Sequence, residues 1–307
     1  MTVTAAADQT IGTKSLVVDN YKSVGFNWTG EEEFGINTGP RMERIIVDQL
    51  AQCFRSHANA IESFVWGLGY IGASRAIGTT AGTAPVLADF AGAKKILDDN
   101  GAPASDRSVV IDTTAGVALR GTSNLYKVNE AGDSGLLRNG TLGNLYGFGI
   151  RESAAIVPVT AGTMASATST AAAFTVGQTL IPLATAGTGL VSAGDIITFA
   201  NDTNKYLVAS VSFAGANPAS GDTITLAEPG LRKAQASATR AITVFATSTR
   251  NIAMSRNAIT LATRLPKYQN GDQATDRQVI TDPVSGISFE LSMWPGQRMV
   301  KYEVAIA

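Results

Sequence analysis

Gly67-Leu68-Gly69-Tyr70-Ile71-Gly72 has the G-x-G-x-x-G spacing that lets a backbone approach a dinucleotide pyrophosphate. That chemistry needs a strand before the motif and a helix after it, so that the phosphates meet a helix N-terminus. Here a long helical pattern precedes the glycines and a loose, Gly-punctuated stretch follows. The motif therefore reads as a helix end with a flexible exit, and no cofactor is expected. His57 is the single histidine and Cys53 the single cysteine. Any Ser-His-Asp relay or His-based metal site would have to pass through His57, in the middle of the same helical pattern, with no second imidazole or thiolate to join it. It reads as a helix-surface or helix-packing residue. Cys53 falls on the apolar face and reads as a small buried hydrophobe; one cysteine excludes an intramolecular disulfide. Glu31, Glu32 and Glu33 offer a carboxylate cluster, but three consecutive side chains on an extended segment cannot converge on one point. A solvated loop tip, or a patch for a neighbour's arginine, is expected. No catalytic and no metal residues are assigned, and the chain is not expected to be an enzyme.

The elements that would position these residues explain the lack of a catalytic constellation. Residues 41–70 form one long amphipathic pattern, with Ile45, Ile46, Leu50, Cys53, Phe54, Ala58, Ile61, Phe64, Val65 and Leu68 recurring every three to four positions. Arg44, Asp48, Gln52, Arg55, Asn59 and Glu62 fill the rest of the circumference. Before it, residues 24–40 alternate small or polar residues with bulky ones, pass through the acidic run and reach the turn Thr38-Gly39-Pro40. That pattern predicts a two-stranded projecting loop. Phe26, Trp28 and Phe34 lie on this loop, which is too thin to have its own core, so contact with another subunit is the expected use of the three aromatics. Together with Glu31, Glu32, Glu33, Arg41 and Arg44 they are the candidate inter-subunit contacts.

Composition sets outer limits. The chain has 307 residues, 45% of them apolar and 16% charged, with 31 glycines and a net charge of −1. The charged fraction is well below the usual ~25%, which suits a surface that another molecule covers. With no Lys or Arg run and no net positive charge, the counterion release that drives nucleic-acid binding is not built in. Residues 1–20 lack a basic start and an apolar h-region, and no apolar run approaches ~18 residues, so a cytoplasmic, non-membrane protein is expected.

Further along, residues 87–99 read as a helix that Asn100-Gly101 terminates, Ser108-Val109-Val110-Ile111 as a buried strand, and residues 113–120 as a short helix stopped by Gly121. Strand signals follow at Leu145 to Ile150 and Ala155 to Pro158. Composition shifts near Thr160 to Ala, Ser, Thr and Gly, and short strands follow at residues 174–176, 195–199, 205–211, 222–226 and 241–245. Beyond them come a strand at 250–254, a short helix at 256–263, and strands at 278–280, 287–292 and 299–306. The mixed pattern on both sides of the β block marks that block as an insertion. The domain expectation is an arm at 1–20, an extended loop at 21–41, an α+β body at 42–159 and 247–307, and an inserted small all-β barrel at 160–246.

Six segments in this order resemble the major capsid proteins of tailed bacteriophages with the Hong Kong 97-type fold, and in particular podovirus-type coat proteins that carry an inserted β-barrel. They are Val24-Gly25-Phe26-Asn27-Trp28-Thr29-Gly30-Glu31-Glu32-Glu33, Asp48-Gln49-Leu50-Ala51-Gln52-Cys53-Phe54-Arg55, Asn100-Gly101-Ala102-Pro103 with Asp106-Arg107-Ser108-Val109-Val110-Ile111-Asp112, Gly147-Phe148-Gly149-Ile150-Arg151-Glu152-Ser153, Ala193-Gly194-Asp195-Ile196-Ile197-Thr198-Phe199, and Arg250-Asn251-Ile252-Ala253-Met254-Ser255-Arg256-Asn257-Ala258. The resemblance implies a virion component assembled in the host cytoplasm. Many copies would form the pentamers and hexamers of an icosahedral head that encloses double-stranded DNA without reading its sequence. Scaffolding, portal and decoration proteins are the further partners it implies. A nanocompartment shell of the same fold, a nucleotide-dependent enzyme using residues 67–72, and a secreted β-rich adhesin are the competing readings.

Overall fold

The structure is a computed structural model that describes residues 12–13, 15–36, 41–78, 81–127, 138–185, 187–215, 218–268, 271–283 and 285–307. Much of the expected arm (1–11 and 14) and the expected turn at 38–40 lie outside the described residues. In chain order the elements begin with β1 (Lys22–Thr29), α1 (Gly30–Ile36), α2 (Arg41–Ile71), α3 (Leu87–Asp99), β2 (Arg107–Ile111), α4 (Thr113–Arg120) and α5 (Ser123–Tyr126). Strands β3 (Asn144–Leu145), β4 (Phe148–Glu152), β5 (Pro158–Val159), β6 (Thr168–Ser169), β7 (Leu180–Thr185), β8 (Ile196–Phe199), β9 (Tyr206–Ser212), β10 (Thr223–Leu226), β11 (Ile242–Val244) and β12 (Ser248–Thr249) follow. The chain closes with β13 (Ile252–Ser255), a 3-10 turn (Arg256–Ala258), β14 (Asp276–Thr281), β15 (Ser288–Gly296) and β16 (Met299–Ile306). It divides into two compact units within α2, after Ile61.

The first unit combines residues up to 61 with those from 260 onward. Its antiparallel sheet runs β1-β16-β15-β14. β1 pairs with β16 along its whole length, from Lys22 opposite Ile306 to Thr29 opposite Met299. Val24, Phe26 and Trp28 alternate inward while Ser23, Gly25 and Asn27 face out, which is the period of two that a half-buried strand requires. Leu50, Cys53, Phe54 and Ile61 of α2 pack on this face with Phe289, Val304 and Ile306. Gly25 is held to glycine by close approach, since a Cβ there would lie 2.6 Å from the carbonyl oxygen of Tyr302.

The second unit, residues 62–259, holds two further cores. In the sheet β13-β2-β4-β3, strands β2 and β4 are parallel, and α4 and α5 connect them. Phe90 of α3, Val109 and Ile111 of β2, Ala115 and Leu119 of α4 and Phe148 of β4 form the core between helices and sheet. Asp112 caps α4 by accepting from Thr114 N at 3.2 Å. The buried Arg107 guanidinium clasps the end of α3, donating to Asp98 at 2.6 Å and to the carbonyls of Ala102 and Pro103 at 2.6 and 2.7 Å.

The other sheet has the order β11-β8-β9-β10-β7-β6. Its two end strands are joined in turn, by Ser169 N to Arg240 O at 2.9 Å and Ile242 N to Ala167 O at 3.0 Å. Ile181, Leu183, Ile197, Tyr206, Val208, Ile224, Leu226 and Ile242 point into one shared core. Three buried aspartates tie its turns: Asp195 accepts from Ser192 N, Asp222 from Ala219 N, each at 2.7 Å, and Asp202 from Asn204 N at 3.0 Å. Each carboxylate thus satisfies N–H groups where a chain reversal leaves them without a ladder partner.

Three expectations are corrected. Residues 24–36 are not a two-stranded projecting loop but one sheet strand followed by a helix. Residues 256–263 form only a single 3-10 turn, Arg256–Ala258, because the β-branched Ile259 that follows it is in extended conformation. Residues 174–176 make only an isolated bridge, Phe174 with Gln235, whereas β7 at Leu180–Thr185 was not anticipated.

Candidate interaction surface

The region expected to make subunit contacts starts where β1 ends. Thr29 and Glu32 form a reciprocal cap on α1: Glu32 Oε2 accepts from Thr29 N and Oγ1, both at 2.9 Å, and Thr29 Oγ1 accepts from Glu32 N at 3.3 Å. These bonds hold the Glu32 carboxyl below its ordinary pKa, the backbone N–H of Thr29 being the main cause. Glu31 and Glu33 share this first turn and are exposed, so the acidic run starts a helix rather than tipping a loop. The T-x-x-E spacing of Thr29 to Glu32 is a helix-start signal that the alternation of bulky residues obscured.

The three candidate aromatics separate. Trp28 is 8% exposed, and its indole N–H donates to Gln49 Oε1 at 2.8 Å. Phe26 stacks on Tyr302 with ring centroids 5.3 Å apart. Both are packed within their own chain, which corrects the premise that this segment lacks a core of its own. Phe34 is different: it is 85% exposed on α1, a helix with no buried residue. Arg44 is exposed on α2. Arg41 begins α2, and its side chain is outside the described set. Val47 is also exposed, at 61%, a residue the sequence reading did not single out although it falls off the apolar stripe.

The residues with catalytic chemistry are held structurally. His57 is buried, with Nε2 2.8 Å from the carbonyl oxygen of Val304 and its ring against Phe289. It lies one turn beyond Cys53, whose thiol burial pushes up in pKa. Among the described residues no group of three or more His, Cys, Asp or Glu could hold a metal, and no helix is long and apolar enough to cross a membrane. The glycine motif lies at the C-terminal end of α2, where Gly72 N donates to Leu68 O at 2.9 Å. Gly69 serves packing there, since a Cβ would come 3.0 Å from Ile252 Cδ1.

No protein-family model and no curated protein matches the sequence. Among solved structures, phage structures resemble the chain. One is from Mycobacterium phage Che8, with 17% identity, a TM-score of 0.39, and coverage of 76% of this chain and 70% of that one. Another is from the asymmetric unit of the bacteriophage PhiM1 mature capsid, with 16% identity, a TM-score of 0.33, and coverage of 83% of this chain and 80% of that one.

Proposed function

We propose that the chain is the major capsid protein of a tailed bacteriophage, a structural subunit that self-assembles into the pentamers and hexamers of an icosahedral head around double-stranded DNA. The observation that carries this reading is Phe34, a large aromatic 85% exposed on a helix with no buried residue, next to a strand whose own aromatics pack within the chain. Exposing a phenyl ring is unfavourable by roughly 1.5–3 kcal/mol relative to burying it, and tiling of identical subunits supplies that burial. The low charge and the order of the six resembling segments support the same reading. In this reading residues 42–159 and 247–307 are the capsid body and residues 160–246 an inserted barrel. Hydrogen bonds that join the two ends of the six-stranded sheet support the closed form of that insert.

The test is to express the full chain, sediment a gentle lysate and image the pellet by negative-stain electron microscopy, alongside Phe34→Ser. Closed particles or tubes from the wild type, and soluble folded subunits from Phe34→Ser, are expected. A wild-type protein that stays monomeric at high concentration, even when co-expressed with its neighbouring genes, would overturn the proposal. Particles from Phe34→Ser in normal yield would remove Phe34 from the contact.

A further inference from the structure

The second unit contains a half-open pocket of about 450 Å³, within the range of small-ligand sites. Its walls are the stretch that follows α2, the inner face of α3, strands β2 and β13, and residues of β8 and β9 with Phe245. Apolar side chains such as Phe90, Leu97, Ile196, Leu207 and Ile252 make up much of the lining. The charged lining is one-sided: Arg75, Lys205 and Arg250 against the single carboxylate of Asp89, which already accepts from Val86 N at 3.0 Å. An isolated β-bridge between Ala76 and Lys205 places Arg75 and Lys205 next to one another along the chain backbones.

Arg250 is the unusual member. It is 7% exposed, and its Nη1 donates to Ser248 Oγ at 2.5 Å. Its Nε and Nη2 are buried and have no partner in the protein, and the same holds for Nε of Arg75. Nε–H and Nη2–H are the parallel donors on one edge of the guanidinium, the pair that receives two oxygens of a carboxylate or phosphate side by side. Asp195 and Tyr70 are the groups that act on Arg250 electrostatically, and Asp195 is engaged by Ser192 N and Gly162 N at 2.7 and 3.1 Å. Burial opposes the charge on Arg250, Arg75 and Lys205 alike and is the first cause of the lowered pKa of each. Asp99 acts electrostatically on Arg75, and Asp89 on Lys205, as Asp195 does on Arg250. Three partly desolvated cations beside an apolar hollow, two of them with buried donors that no protein acceptor satisfies, are a costly arrangement that an entering anion relieves.

We propose that this pocket binds an amphipathic organic oxyanion, its apolar body against the aliphatic and aromatic walls and its carboxylate or phosphate head in the positive field of Arg250, Arg75 and Lys205, where a small turn of the Arg250 side chain would present its unsatisfied Nε–Nη2 edge. The site lies within one unit of a single chain and does not depend on assembly into a shell. Titrating the full chain with 2-naphthoate in a calorimeter, with 2-naphthamide as the neutral isostere, tests it. One naphthoate per chain, bound at least about tenfold more tightly than the amide, is expected. Arg250→Met should remove that preference while apolar binding persists. Should Arg250→Met fail to fold by circular dichroism, Lys205→Met tests the other wall and should weaken naphthoate several-fold more than naphthamide. No naphthoate binding up to millimolar concentration, equal affinity for acid and amide, or an unchanged preference in the folded variants would overturn the proposal.

Discussion

Tyr206 offers the most quantitative handle on the six-stranded sheet. The residue is 2% exposed, its hydroxyl donates to Asp202 Oδ2 at 2.6 Å and accepts from Arg232 N at 3.2 Å. Burial first, and then the Asp202 carboxylate, push its pKa from 10.0 up to about 12. Tyr206→Phe leaves a buried carboxylate and a backbone N–H each short of a partner, at a cost of about 1–3 kcal/mol near neutral pH. Linkage then predicts how that cost changes with pH. Because the folded-state pKa lies above the unfolded one, the protonated phenol favours the fold, fully below about pH 10 and progressively less as pH rises toward 12. Two pKa units correspond to about 2.7 kcal/mol in all, of which roughly half is lost by about pH 11. The assay is urea unfolding of wild type and Tyr206→Phe at about pH 9 and about pH 11, the difference between the proteins cancelling the lysines and other groups that titrate in both. The stability gap should shrink by about 1 kcal/mol at the higher pH, since only the wild type carries the linked proton. A gap that stays constant across this window, or a variant as stable as the wild type at both values, would refute the buried hydroxyl network.

Two further predictions concern the same region. Gly162→Ala places a Cβ 2.5 Å from Leu190 O and 2.6 Å from Asp195 Oδ2, so it should destabilise by about 1–3 kcal/mol in a thermal melt, while Gly215→Ala, with nothing within 4 Å, should change stability by less than about 0.5 kcal/mol. Replacing residues 160–246 with a short Gly/Ser bridge should leave a soluble, folded remainder by circular dichroism, because Val159 pairs directly with Ser248 and the two ends are already neighbours in β5 and β12. An insoluble product would mean that the β block is integral to the remainder.

What the sequence revealed depended on how far apart the determining residues lie. α3 and α4 begin and end as expected, at Leu87, Asp99, Thr113 and Arg120, because their signals are local: helical periodicity, the Asp112 cap, and Asn100-Gly101 and Gly121 at the ends. The run of α2 was legible for the same reason, yet its face was not. Phe64 and Leu68 continue the apolar stripe but are 42% and 57% exposed, since the core built on Leu50, Cys53 and Phe54 reaches only as far as Ile61. β1 failed in the opposite way. Its alternation was visible, but the partner that turns a projecting loop into a sheet strand is β16, at the far end of the chain, and no local pattern announces a pairing of Lys22 with Ile306. β7 was masked by Pro182, a residue that argues against an interior strand, although β7 sits between β10 and β6; lacking an N–H, Pro182 contributes only its carbonyl, which accepts from Thr170 N at 3.0 Å. The same distinction applies to function. Phe34 was detectable as an aromatic on a segment with little to bury it, whereas Arg250 reads in sequence as an ordinary strand flank. Its meaning arises only when folding removes water from the Nε–Nη2 edge and supplies no acceptor in return.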